Sequence, residues 1–137
     1  GPFFTCHDNR VYAQFLRNVM RGEDIVMKSD GSQFRSWCYV VDCVRALLYI
    51  LLKGEKASAY NIADAGSNVS IRQLAETIAS LGGRRVVIEK PDTKEASGYN
   101  VVKKSIFSTS KLQRLGWTVE GGMAEKLSHL ASCLHLS

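Results

Sequence analysis

The side chains in this sequence best suited to chemistry are cations standing where elements should begin or end. Arg35 follows the turn-forming run Ser29-Asp30-Gly31-Ser32 and opens an extended segment. A planar guanidinium at such a mouth can hold two phosphate oxygens at once. Lys103 and Lys104 stand just before the short apolar run Ser105-Ile106-Phe107. Arg10 falls in the first turn of a helix, where the macrodipole disfavours a cation, so its placement points to an anion beside it. The chemistry these residues share is anion binding. Taken singly, each also reads as a solvated surface charge. Strand alternation sets Arg35 and Trp37 on one face and Phe34 and Ser36 on the other. The indole is then expected to brace the guanidinium, and the Gly31-Ser32 turn to leave room near the backbone. The plainer alternative is that Arg35 pairs with Asp30 or Asp42.

Nucleophiles and metal ligands make a weaker case. His7, His129 and His135 are far apart, and no Ser-His-Asp order is visible. Asp30 and Asp42 read as a turn residue and a helix cap rather than as paired acids. The sequence has no GxGxxG after a strand, no P-loop and no HExxH. Cys6, Cys38, Cys43 and Cys133 lack metal-site spacing and read as reduced, mostly buried thiols of a cytoplasmic protein.

Composition sets the frame. The chain has 137 residues, 45% hydrophobic and 23% charged, which suits one globular domain. Eighteen Lys and Arg against 13 Asp and Glu give a net charge of +5. The cations are scattered rather than gathered in a stripe, which argues against nucleic acid as a partner. The most apolar stretch, residues 39–52, is interrupted by Asp42 and Arg45, so no membrane span is expected. The chain opens on Gly-Pro-Phe-Phe without an initiator Met and reads as a fragment.

The elements that must position these residues follow from periodicity. A helix starts near Asp8, an N-cap residue type. It carries Val11, Phe15 and Val19 at every fourth position, with Tyr12, Leu16 and Met20 beside them. Residues 25–28 and 34–40 read as strands. Asp42 caps a helix reaching about Leu52 that is apolar almost all round, and so is expected to be largely buried. Residues 59–63 read as a strand. Ser70-Ile71-Arg72-Gln73 is a capping box. It opens a helix with Ile71, Leu74, Ala75, Ile78 and Leu81 inward, ended by Gly82-Gly83. A strand over 85–89 and a polar loop over 91–100 follow. Ser108 or Ser110 caps a short helix ending at Gly116. A last helix from about Glu120 turns Met123, Leu127, Leu130 and Leu134 inward. Strands alternating with helices predict an α/β fold. With no repeat and no linker, residues 1–137 read as a single domain.

Five segments, in order, resemble one family. They are Asn9-Arg10-Val11, then Gly22-Glu23-Asp24-Ile25-Val26, then residues 30–42 (DGSQFRSWCYVVD), then Ala59-Tyr60-Asn61-Ile62-Ala63, then Lys111-Leu112-Gln113-Arg114-Leu115-Gly116-Trp117. They resemble the NAD-dependent epimerase/dehydratase family, the extended short-chain dehydrogenases acting on nucleotide sugars. The likeness is to its dTDP-glucose 4,6-dehydratase and UDP-glucuronate decarboxylase branches. It implies the C-terminal substrate-binding domain, with short strands alternating with helices and the N-terminal Rossmann domain absent. The Gly-rich NAD fingerprint and the catalytic Tyr-x-x-x-Lys would lie in that absent part. Tyr99 has Lys103 four residues on, but the resemblance places this pair in a substrate loop, not a catalytic centre.

The resemblance also implies roles. Arg35 matches the Arg that contacts the diphosphate. Arg10 and Val11 match the start of the helix lining the nucleotide-sugar site. Val26, Met27 and Lys28 match the strand beside the nucleotide base. Lys104, with Lys103 as second choice, matches a basic residue closing over the phosphates. Ser108 replaces a capping Asp, and Ala63-Asp64 replaces the second half of the family's YNIG strand. No residue here is expected to be catalytic or to hold NAD or a metal; NAD belongs to the parent protein. The expected partners are a UDP- or dTDP-sugar, the missing Rossmann domain and a second copy in a homo-oligomer. The alternative is a non-enzymatic sugar-nucleotide-binding or regulatory module on the same fold. A basic nucleic-acid-binding domain is the third reading.

Overall fold

The structure, a computed structural model, describes residues 1–89 and 102–134. Helix α1 (Val11–Met20) buries Ala13, Phe15, Leu16 and Val19, one stripe at helical spacing. Its N-cap residue is Arg10, with no side-chain cap bond, rather than the expected Asp8. Strand β1 (Ile25–Met27) follows with alternating burial, and β2 (Phe34–Ser36) is shorter than its extended sequence suggests. Helix α2 (Val40–Lys53) starts early, because Tyr39 is already extended and leaves Val40 as the first helical residue. Asp42 therefore lies inside the first turn instead of capping it.

A 3-10 turn (Ala65–Ser67) leads to β3 (Asn68–Ser70) and α3 (Ile71–Leu81). The capping box forms as expected. Ser70 Oγ accepts from the Gln73 N–H at 3.1 Å, and Gln73 Oε1 accepts from the Ser70 N–H at 2.9 Å. The next two unpaired donors of α3 go to the turn before β2. Ile71 N–H donates to Gln33 O, and Arg72 N–H donates to Gly31 O, each at 3.0 Å. Gly31 sits at φ +66°, and a Cβ there would meet Met27 Cε and the Arg72 backbone nitrogen. The turn is therefore tightly filled, against the expectation of free room near its backbone.

Strand β4 (Val86–Ile88), β5 (Lys104–Ser105), the one-turn α4 (Ser110–Gln113) and α5 (Met123–Cys133) complete the described elements. Thr109 is the N-cap residue of α4; Ser108 and Ser110 instead meet each other, hydroxyl to hydroxyl at 3.0 Å. The expected loop over 91–100 and His135 lie outside the described residues. Strands β1 and β4 pair in parallel, Ile25 against Val86. The other sheet runs β3-β2-β5, antiparallel between β2 and β3 and parallel between β2 and β5. The fold is α/β, with short strands between helices. Residues 59–63 form no strand; Tyr60 and Ile62 pack into a side cluster instead.

Apolar burial divides into two clusters. The larger joins α1, β1, α3 and α5 through Phe15, Leu16, Ile25, Leu74, Ile78 and Leu130. The smaller centres on Ala46, Leu112 and Trp117. Helix α2 overturns the expectation of burial. Of its residues only Asp42 and Ala46 are buried, while Val44, Leu47, Leu48, Leu51 and Leu52 are 51–79% exposed. An all-round apolar sequence has been folded with one face covered and the other open.

Candidate functional site

A groove of about 710 Å³ opens between the start of α1 and the segment leaving β2. That size suits a small-molecule ligand. One wall is Arg10, Val11 and Tyr12; the other is formed by Arg35, Ser36, Trp37 and Cys38. Ile71 and Leu74 of α3, with Met123, Leu127 and Leu130 of α5, supply apolar lining.

Arg35 is half-buried on this wall. Its Nη1 donates to the Phe34 carbonyl at 2.8 Å, which turns the guanidinium along its own strand. No carboxylate pairs with it among the described residues. Asp30 accepts from the backbone and hydroxyl of Ser32, and Asp42 faces Lys126 and Arg45. Both acids offered as alternative partners are thus engaged elsewhere. The indole brace also differs from expectation. Trp37 packs edge-on to Tyr12, with centroids 6.4 Å apart, and the cation over the Tyr12 ring is Arg10, at 5.1 Å. The Trp37 indole nitrogen is buried without a hydrogen-bond partner among the described residues.

The anion beside Arg10 is Asp8. Its carboxylate accepts the Arg10 backbone N–H at 3.0 Å, Nε at 3.0 and 3.1 Å and Nη2 at 2.6 Å. These bonds, the side-chain one first, hold the Asp8 carboxyl down at about 2. The awkward cation at a helix start is therefore satisfied within the chain, at an exposed position.

The other sequence candidates do not line the groove. Met27 is 4% exposed and belongs to the larger core, while Val26 faces outward on β1. Lys28 is exposed just past β1. Lys104 stands opposite Phe34 in the sheet, and Ser105 stands opposite Arg35. In a pleated sheet, register partners share a face and neighbours alternate, so Lys104 leaves the face opposite to Arg35. Lys103 accepts the Phe34 N–H through its carbonyl, and alternation carried back one residue returns it to Arg35's face.

A model of the NAD dependent epimerase/dehydratase family matches residues 1–63, which hold α1, β1, β2 and α2. The chain is 36% identical over 81 residues to UDP-glucuronic acid decarboxylase 6 of Arabidopsis thaliana. That match covers 59% of this chain and 23% of the relative. It is 26% identical over 138 residues to UDP-D-apiose/UDP-D-xylose synthase 2 of the same plant, covering 92% of this chain and 36% of the other. The structure of UDP-glucose 4-epimerase from Thermotoga maritima, solved with UDP-glucose, superposes with a TM-score of 0.76 at 27% identity. It covers 98% of this chain and 41% of that one. The chain thus resembles the NAD dependent epimerase/dehydratase family, with the family model matching its first 63 residues. It spans about a quarter of the length of the first curated relatives it matches.

Sequence reasoning missed the polar seam between α2 and α5. Lys126 Nζ lies 2.8 Å from Asp42 Oδ2 and 3.1 Å from Asp64 Oδ2. Tyr39 Oη meets His129 Nδ1 at 3.0 Å, and Arg45 Nη2 reaches Glu120 at 2.7 Å. A cleft of about 310 Å³ runs along these groups. Ala63 stands at the glycine of the YNIG pattern and Asp64 directly follows it. Burial alone would raise its carboxyl; the Ser67 hydroxyl, Lys126 and the Gly66 N–H outweigh it and hold it below the usual range. The cysteines also depart from expectation: Cys6 and Cys133 are exposed, and Cys38 and Cys43 are half-buried. Burial, then the nearby Cys43, Asp42 and Asp64, push the Cys38 thiol up to about 11.

Proposed function

We propose that this chain is the substrate-binding part of an NAD-dependent nucleotide-sugar epimerase, dehydratase or decarboxylase, and that the groove takes a UDP- or dTDP-sugar. The observation that carries the reading is Arg35: a half-buried guanidinium on the groove wall with no carboxylate partner among the described residues. A diphosphate supplies the two-pronged, charge-assisted contact that such a group lacks. Tyr12 and Trp37, packed edge-on to each other, offer aromatic surface for the rest of the nucleotide. The likeness to a UDP-glucose 4-epimerase over almost the whole chain supports the same ligand class.

In the parent protein, NAD supplies transient oxidation at a sugar carbon and return of the hydride. The part described here binds the nucleotide and phosphates and so holds the sugar in place, turning remote binding energy into orientation. The isolated chain is inactive and holds no NAD in this reading, with catalysis in an NAD-binding domain outside it. The exposed face of α2 is then the surface that domain covers, and homo-oligomer formation belongs to the assembled protein.

Calorimetric titration of the chain with UDP and dTDP tests the reading. Saturable binding that Arg35→Ala weakens supports it; no binding of either nucleotide overturns it. Turnover of UDP- or dTDP-sugars by the chain with added NAD, above the buffer blank, overturns the inactive-fragment part.

A further inference from the structure

Lys126 is an enclosed cation on the groove lining whose ammonium is already paired within the chain. Its side chain is 11% exposed, and its ammonium sits between carboxylates from two separate elements. Asp42 belongs to the first turn of α2, and Asp64 is the N-cap residue of the 3-10 turn. Each acid passes the connection on. The Asp64 backbone N–H donates to the Trp37 carbonyl at 2.8 Å, and the Trp37 N–H returns to the Ser67 carbonyl at 3.4 Å. The Asp64 carboxylate takes the Gly66 N–H at 2.8 Å and the Ser67 hydroxyl at 2.6 Å. That turn is therefore pinned to Trp37 on one side and to Lys126 on the other. The Asp42 carbonyl accepts from Trp117 Nε1 at 3.1 Å, which ties it to the smaller core. Lys126 itself rides on α5, whose Leu130 lies in the larger core. The two apolar clusters are thus bridged by an ion cluster, and that cluster ends on the residue two beyond Arg35.

We infer that Lys126 is a positioning residue of the groove: by bridging Asp42 and Asp64 it fixes the Arg35–Trp37 wall against α5. An ammonium suits this place because it faces two acids at once from one point, and removing it leaves Asp64 without its cation and Asp42 with Arg45 alone, at 3.6 Å. The wall would then loosen at the Asp64–Trp37 bond before the cores themselves open. The consequence for affinity rests on the nucleotide reading; the consequence for the wall does not.

The test uses the full chain with Lys126→Met, Lys126→Arg and Asp64→Asn. Amide hydrogen exchange is read at Asp64 and Trp37, with Ile78 in α3 as the internal reference, and UDP affinity is read by calorimetry. Lys126→Met is expected to speed exchange at Asp64 and Trp37 about tenfold more than at Ile78. It is expected to weaken UDP about fivefold or more, with Lys126→Arg recovering most of both. Asp64→Asn keeps the shape of the turn and moves the Trp37 amide in the same direction, which covers the case in which Lys126→Met does not fold. Exchange rising equally at all three amides means a purely structural role and overturns the inference. So does UDP affinity unchanged in a variant whose wall has loosened. Wild-type chain that binds no UDP overturns the nucleotide reading, and the exchange comparison then decides the positioning role alone.

Discussion

Arg35 and Lys104 stand on neighbouring parallel strands one residue out of register, and they leave the sheet on opposite faces. Arg35 shares its face with Ser105, while Lys104 shares its face with Phe34. A ligand held by one is therefore out of line with the other. Arg35→Ala is expected to weaken UDP and dTDP about tenfold or more, the lower end of the range for a charge-assisted contact. Lys104→Ala is expected to stay within about threefold of wild type, as for an exposed charge. Calorimetric titration of both variants decides; an equal or larger loss from Lys104→Ala rejects Arg35 as the anchor.

Arg10 is already occupied. With its guanidinium held by Asp8, Arg10→Ala is expected to change nucleotide affinity by less than about threefold. The acid titration of Asp8 reports on the same pair. Its folded value is depressed to about 2, so the pair's contribution is complete above the ordinary carboxylate value of 3.8 and is lost only as pH falls toward 2. A carbon-detected NMR titration of the Asp8 carboxyl should show its midpoint there. A midpoint at the ordinary value would mean that the pair is open in solution.

The open face of α2 should make the chain associate. Val44, Leu47, Leu48 and Leu51 lie along it, each at least half exposed. Apolar patches of this kind mark surfaces that something covers. Sedimentation velocity at rising concentration is expected to show reversible self-association, and Leu48→Glu with Leu51→Lys should abolish it with the fold intact. A wild-type chain that stays monomeric throughout would count against an uncovered apolar face.

Gly31→Ala should destabilise the chain by about 1–3 kcal/mol. The residue sits at φ +66°, and a methyl group would press on Met27 and on the start of α3. Thermal unfolding measures the loss. Ser32→Ala removes only a hydroxyl bonded to the exposed Asp30, and should cost less than about 1 kcal/mol.

The seam at Lys126 sets a pH window. Asp64 is held below 3.8 because the Ser67 hydroxyl, Lys126 and the Gly66 N–H together outweigh burial, and Lys126 is held above 10.5 because Asp42 and Asp64 outweigh it. The stability that Asp64 contributes is present above 3.8 and disappears as pH falls through its depressed folded value. Asp64→Asn is therefore expected to cost about 1–3 kcal/mol at neutral pH. The gap in melting temperature should persist through mild acid and close in strong acid. A gap that stays constant down to the acid-unfolded state would mean that the carboxylate charge plays no part.

Local features were legible in the residues themselves. The capping box at Ser70 and Gln73, the buried stripe of α1 and the inward face of α3 each depend on groups within about four residues of one another, the reach of a helical turn. The order of strands and helices, and with it the α/β class, followed from the same short-range periodicity. Arg35 could be singled out because a turn and a strand start are local events. Contacts across the chain were not legible. Nothing near Asp64 names Lys126, 62 residues away, as its partner, and nothing in the apolar run of α2 says which side will be covered. Arg10 shows a different limit: the anion beside it is Asp8, only two residues back, a local partner that residue spacing did not single out. Sequence patterns encode which hydrogen bonds and apolar faces a segment must satisfy. Only packing, which brings distant groups into one low-dielectric space, decides which partners satisfy them.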